Sequence, residues 1–309
     1  MNKSVKTLLL LTVLASAKVL SLSPPLATDL TGPYLGQTPP GLAPEPFAQG
    51  VISTPGWEYS GVFSPDLTEF YYIKEVEREG QLRQEFIVYQ QQNDRWYWSI
   101  ISPRVGQPFV SPDGQTMHLG RRYKTRQGED WSELKSLGEP FSNHRIMWLT
   151  SSANGTWVFD EAKREGDGLL RISRIKNGVR LPPEPLDKTI NTGQWNAHPF
   201  IAPDESYIIW DGQRDSPVRN ADLFISFKQS DGRWGDAIKF DDRINTSASE
   251  NGARVTPDGK YLFFNRRVGE FEYTHPSGKV EVIGNTDIFW VDAGIIESMR
   301  PTKHTSEAP

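Results

Sequence analysis

Val255-Thr-Pro-Asp-Gly-Lys-Tyr-Leu-Phe-Phe264 is the stretch whose reading decides the fold. An alternating run, a Pro-Asp-Gly turn and a second apolar run together signal a compact β-hairpin. The chain writes variants of this unit again. Phe63-Ser-Pro-Asp66 leads into Phe70-Tyr-Tyr-Ile73, Val110-Ser-Pro-Asp-Gly114 into Met117-His-Leu119, and Ile201-Ala-Pro-Asp204 into Tyr207-Ile-Ile-Trp210. A worn copy, Leu149-Thr-Ser-Ser-Ala-Asn-Gly155 before Trp157-Val-Phe159, carries Ala153 and Asn154 where the others have Pro and Asp.

The Asp or Asn positions are 66, 113, 154, 204 and 258, so the steps are 47, 41, 50 and 54 residues. Periods of about 40–50 residues with several short strands each point to propeller blades. Each unit reads as four strands, a to d. Strands a and b flank the Pro-Asp turn. Strand c is clearest at Asp222-Leu-Phe-Ile-Ser226 and Asp287-Ile-Phe-Trp-Val291, and strand d follows a Trp-containing turn in Gly232-Arg-Trp-Gly-Asp-Ala-Ile-Lys-Phe240. One blade cannot bury both of its faces, so the blades must stack around an axis. A β-sandwich is the alternative, and it would need five hairpins to match in register by accident.

The two chain ends complete the argument. The last repeat has strands a and b, a charged insertion from Arg266 to Gly284, and strand c; the chain then runs into Ala293–Pro301 without a fourth strand. Upstream, the segment Phe47 to Ile52 precedes Glu58 as Ala237 to Ile244 precedes Glu250, and each glutamate lies seven residues before a Pro-Asp turn. The N-terminal segment therefore reads as an orphan strand d that fills the last blade and closes the ring, which removes exposed edges. The expectation is an all-β, five-bladed propeller over residues 45–300. Six blades is the alternative, because Gly120 to Trp148 is hard to parse.

Residues 1–17 read as an address. Lys3 and Lys6 form a positive region, Leu8–Leu14 an apolar core too short to span a bilayer, and Ala15-Ser-Ala17 a small-x-small cleavage pattern. No Cys follows, which excludes a lipid anchor of the lipoprotein kind, and with no Cys at all stability must come from packing and ring closure. The expected location is the periplasm or outside the cell, with no membrane span in the mature chain; an uncleaved anchor is the alternative. Residues 18–44, rich in Pro and Gly, read as an extended lead-in, and 301–309 as a tail. A formal net charge of −5 and the lack of a basic stripe argue against nucleic acid as a partner. Oligomeric state has no signature in the chain.

The repeated [Ser/Thr/Ala]-Pro-Asp-x-x-x-[hydrophobic] unit, followed by Asp-[Leu/Ile]-Phe, resembles the WD-like Pro-Asp propeller repeats of the TolB type. The likeness covers most of residues 45–292, and the Glu-x-x-x-x-x-x-Pro-Asp element at Glu58 and Glu250 is similar to that family's blade entry. The resemblance implies a propeller. It does not fix one function, since such repeats occur in periplasmic translocation and scaffold proteins, in the propellers of prolyl peptidases, and in polysaccharide-related proteins.

Catalytic motifs are absent: there is no Gly-x-Ser-x-Gly, no His-Glu-x-x-His and no phosphate-cradling Gly-rich loop, and His118, His144, His198, His275 and His304 are scattered without ligand spacing. Position in the blade is more informative. Residues just before each strand a should gather at one mouth of the central channel: Glu58, Tyr59, Gln107, His144, Arg145, Trp195, Asn196, His198, Glu250, Asn251 and Arg254. Convergent polar groups over an apolar wall suit a small molecule or peptide. Ring closure makes the first and last blades neighbours, so Glu58 and Glu250 are read as adjacent carboxylates. They could serve as an acid/base pair or hold a divalent cation with His198, or they could simply cap turns and pair with nearby cations.

Three smaller features have simpler readings. Asp211, Asp215, Asn220 and Asp222 resemble oxygen-rich cation ligands but read better as a solvated loop. Trp96-Tyr97-Trp98 reads as packing between blades, with one ring available to a sugar or peptide as the alternative, and Lys74–Glu79 as a solvated hairpin end. The expected function is a non-enzymatic propeller that binds a protein, peptide or glycan at the channel mouth, with no resident cofactor. A metal-assisted polysaccharide lyase or hydrolase using Glu58, His198 and Glu250 is the alternative.

Overall fold

The structure, a computed structural model, describes residues 26–161, 168–213 and 220–301. The candidate address at 1–17, Asp215 and His304 lie outside the described residues.

Five antiparallel sheets, one per Pro-Asp hairpin, form a five-bladed β-propeller. From the innermost strand outward the strands follow chain order, except for the outermost strands of blades 1 and 5, which come from the N-terminal side. Blade 1 has Glu58–Phe63, Glu69–Arg78, Gln81–Gln92 and Arg95–Pro103. Blade 2 has Pro108–Val110, Thr116–Leu119 and Arg122–Gln127, and two short segments, Asp130–Trp131 and Lys135–Ser136, share its outer edge. Blade 3 has Ile146–Ser151, Trp157–Glu161, Leu170–Ser173 and Glu184–Pro185. Blade 4 has Gln194–Ile201, Tyr207–Gln213, Asp222–Phe227 and Ile238–Lys239. Gly120 to Trp148, the stretch that left six blades open, is divided between blades 2 and 3.

Blade 5 takes three strands from the C-terminal end, Glu250–Val255, Tyr261–Thr274 and Val280–Asp292, and its fourth from the N-terminal side. That fourth strand is Glu45–Pro46, paired with Trp290 and Phe289. It lies just before the segment expected from sequence. Phe47 to Ile52 instead turns inward: Phe47 and Ile52 are fully buried, and Phe47 packs on Phe63, Phe70, Phe263 and Trp290 from blades 1 and 5. Ring closure is thus an aromatic core as well as a strand pairing. The charged insertion after Phe264 continues the ladder as far as Thr274↔Val280, because Phe271, Tyr273, Val282 and Ile283 keep a strand-like pattern around the Pro276-Ser-Gly278 turn.

The lead-in contributes to the fold. Leu26–Thr31 adds a fifth strand to blade 1 beside Arg95–Pro103. Trp96 is fully buried there, with its indole N–H donated to Gly32 O at 2.8 Å. Tyr34 and Leu35 are buried at the closing junction, and Tyr34 donates to the Asp258 carboxylate of the blade 5 turn at 2.5 Å. The core is a set of apolar layers between blades. The layer between blades 4 and 5 is the largest, and that between blades 2 and 3 rests on Phe141, Ile146, Leu149 and Phe159.

Candidate functional site: the polar mouth of the channel

Four of the five innermost strands carry a bulge part-way along: between Tyr59 and Val62, Ile146 and Leu149, Ala197 and Phe200, and Asn251 and Arg254. A bulge re-aims side chains and leaves a backbone N–H outside the ladder. At the bulges of blades 4, 5 and 1 the left-handed residues are His198 (φ 47°), Gly252 (φ 62°) and Ser60 (φ 66°). Each donates its freed N–H to a side chain on the second strand of the preceding blade. His198 N donates to Asp160 Oδ2 at 3.1 Å, Gly252 N to Asp211 Oδ1 at 2.9 Å, and Ser60 N to Asn265 Oδ1 at 2.9 Å. Blades 1 and 2 have no such acceptor, since Ile73 and Gly120 hold those positions. Gly120 is required there because a Cβ would stand 2.7 Å from Ile146 O.

The same side chains build a buried polar centre. His198 donates from Nδ1 to Asp211 at 2.9 Å, and its Nε2 faces the Tyr59 hydroxyl at 3.4 Å. Tyr59 donates to Asn251 Oδ1 at 2.7 Å. Asp160 also accepts the N–H groups of Met147 and Trp148, at 3.0 and 2.9 Å. The Trp148 ring meets His198 edge to face at 5.2 Å and carries the Arg254 guanidinium 4.1 Å above its face.

Electrostatics follow from burial. Burial alone would lower the His198 pKa, but the charge and hydrogen bond of Asp211, with Asp160 adding to them, outweigh it and the net direction is up. The Nδ1–H bond to Asp211 leaves Nε2 as the ring atom that faces Tyr59. Burial raises the Asp160 pKa despite His198 and three backbone donors. Burial pulls Arg254 down to about 9.

Above this centre opens a cavity of about 370 Å³, lined by Trp195, Asn196, His198 and Asn251 together with Asp160 and Asp211. Trp195 is itself left-handed (φ 59°), and a second bulge lies between Gln194 and Ala197, so one strand is distorted twice within the lining. Asn196 is 6% exposed, and its side-chain oxygen has no hydrogen-bond partner among the described residues.

The other expected residues go elsewhere. Glu58 and Glu250 are fully buried and do not line this cavity. Glu58 accepts from Thr54 Oγ1 at 2.5 Å and pairs with Lys74 at 3.0 Å, while Glu250 accepts from Thr246 Oγ1 at 2.6 Å and pairs with Arg266 at 2.9 Å. Each glutamate ties the turn before its strand to a cation across its own hairpin. Gln107 lines a separate cavity at the junction of blades 2 and 3. His144 lies 3.6 Å from Glu161, and Arg145 is exposed. Arg254 reaches the opposite mouth.

The loop carboxylates disperse. Asp211 belongs to His198 and Gly252, Asp222 pairs with Lys239 at 2.8 Å, and Asn220 donates to Ser247 O. Among the described residues no three His, Asp or Glu side chains group as a metal site. Sequence reasoning missed the site role of Asp160, Asn265 and Trp148. A signal was present, because Asp211 and Asn265 both stand seven residues after the Asp of their Pro-Asp turn.

No protein-family model matches the chain, and no curated protein matches it. Among solved structures it is similar to TolB from Acinetobacter baumannii, at 16% identity and a TM-score of 0.48, covering 79% of this chain and 59% of that one. It is also similar to the catalytic domain of a Coprinopsis cinerea GH62 alpha-L-arabinofuranosidase, at 8% identity and a TM-score of 0.46, covering 81% and 94%. The tricorn protease is a third, at 15% identity and a TM-score of 0.46, covering 75% and 23%. The chain spans less than two thirds of the TolB chain's length. These likenesses concern the fold, which rests on the sheet topology itself. No helix among the described residues is long and apolar enough to cross a membrane.

Proposed function

We propose that this chain is an exported binding propeller whose polar channel mouth takes a segment of a protein or peptide, or a glycan. One observation carries the reading. A single strand, Gln194–Ile201, is bulged twice and holds two large non-glycine residues, Trp195 and His198, at positive φ in the lining of one cavity. Such backbone costs of order 1–3 kcal/mol per residue and collects at ligand sites. Trp195 offers an aromatic face to a sugar ring or an apolar side chain, and Asn196, His198, Asn251 and Asp211 offer hydrogen bonds around it. Export rests on the pattern of residues 1–17.

The test is a binding screen of the purified full chain against peptide and oligosaccharide arrays, repeated with Trp195→Ala and Asn251→Ala. The reading expects a hit that both variants weaken at least tenfold with melting temperatures that still show a folded chain. Hits that ignore both substitutions contradict it.

A second reading is favoured by the His198–Asp211 pair, which lies beside Asp160 in the same cavity. A histidine whose ring bonds one buried carboxylate and whose backbone N–H bonds a second can move protons, so a polysaccharide hydrolase or lyase would use Asp160, His198 and Asp211 rather than Glu58 and Glu250. Product release from polysaccharides, abolished by Asp211→Asn, would select it.

A further inference from the structure

The opposite mouth of the channel, at the Pro-Asp turns, has a different chemistry. Its cavity, about 300 Å³, is rimmed by Pro65, Pro112, Pro203 and Pro257, one from each of four blades, with Phe109 and Phe200 below them. The proline of the repeat motif therefore does more than set a turn: four copies present a rigid apolar collar. Blade 3 contributes no proline, because Ala153 stands at that position.

Three polar side chains interrupt the apolar wall: Thr256, whose hydroxyl is engaged by Asp258 and the Tyr261 N–H, and Arg254 and Ser151. Arg254 is 3% exposed, and two of its five N–H donors are used, to Pro108 O at 2.8 Å and Ser60 Oγ at 3.1 Å. It makes no ion pair with a described carboxylate; its remaining support is the Trp148 face. Ser151, 3% exposed, lines the same cavity and its hydroxyl has no hydrogen-bond partner among the described residues. A buried guanidinium without a carboxylate is costly, and a buried unpaired hydroxyl adds to the cost. The missing partner is an anion that brings its own apolar body.

We propose that this mouth is a second binding site, which takes the carboxylate end of a small apolar molecule, with the carboxylate on Arg254 and Ser151 and the apolar part inside the proline collar. Charge complementarity selects the acid, and the narrow apolar wall selects against a strongly hydrated anion. Its lining shares no residue with that of the polar mouth, and the two meet at the Trp148 ring, which both Arg254 and His198 touch.

Calorimetric titration of the full chain with hexanoate and with hexanamide tests this. The acid is expected to bind at least tenfold more tightly than the isosteric amide. Acetyl-alanyl-leucine, as free acid and as C-terminal amide, tells a free acid from a chain end: the tighter of the two acids identifies the source. Ser151→Val should weaken the acid several-fold without loss of stability, because the hydroxyl it removes is unpaired. Arg254→Gln should erase the preference for acid over amide; should that variant not fold, the comparison on the unaltered chain still decides. No binding of either acid, or equal binding of acids and amides, overturns the proposal.

Discussion

Ser60 of the first blade donates its backbone N–H to the side-chain oxygen of Asn265 in the last blade at 2.9 Å. This is the junction at which the ring closes, and the bond repeats the His198–Asp160 and Gly252–Asp211 contacts around it. Asn265 also donates to Asn251 O at 3.1 Å, so one side chain joins both sides of the junction. Replacing it with Ala leaves a buried N–H without a partner, at a cost of about 1–3 kcal/mol. Asn265→Asp keeps the acceptor, as Asp160 and Asp211 do, and should retain more of that stability. Urea unfolding of the two variants beside the parent checks the order.

Asp211 should hold the His198 pKa up. Its removal in Asp211→Asn lowers the His198 pKa, which an NMR titration of the ring would follow. A raised folded-state pKa contributes stability that is fully present below the unfolded value of about 6.5 and is lost as pH rises through the folded one. The substitution should therefore destabilise more at pH 5 than at pH 8. Breaking a buried pair sets the scale at the lower pH, about 3 kcal/mol.

Asp287 lies against the Glu58 carboxylate across the closing junction. Burial first, and Glu58 second, push its pKa up to about 6. By the same sign, its contribution is complete below about pH 4 and fades as pH rises through about 6. Asp287 is only half buried, so the effect at neutral pH is on the order of 1–2 kcal/mol after solvent screening. Asp287→Asn should gain about that much at pH 7.5 and nothing at pH 4, as read from melts across pH.

Opening should begin between blades 2 and 3. That layer has four buried apolar residues, against fifteen from blades 4 and 5 and the segments that follow them in the largest layer, and Gly120 offers no side chain to clamp the next blade. Amide exchange should be faster in Thr116–Leu119 and Ile146–Ser151 than in Tyr207–Gln213. Uniform protection across the three strands would count against it.

The hairpins and the closure by the N-terminal side were legible because Pro, Asp and Gly punctuate strands at fixed offsets. The polar mouth was legible in part, from position alone. Trp195, Asn196, His198 and Asn251 all precede Pro-Asp turns by a few residues. Their partners Asp160 and Asp211 come from second strands of neighbouring blades, a relation set by how blades stack and by bulges with no single-residue mark. Adjoining blades alone suggest that Glu58 and Glu250 face each other. Yet each has a Thr four residues before it and a cation sixteen after it, Thr54 and Lys74, Thr246 and Arg266. That spacing spelled a local ion pair in both copies.

The most direct measurement is amide hydrogen exchange on the full chain with and without a peptide or oligosaccharide selected by the arrays. The account predicts slowed exchange at Gln194 to His198 and Ser249 to Asn251, with the outer strands unchanged. Slowing confined to the outer strands or to the long Tyr261–Asp292 hairpin would contradict a site at the polar mouth.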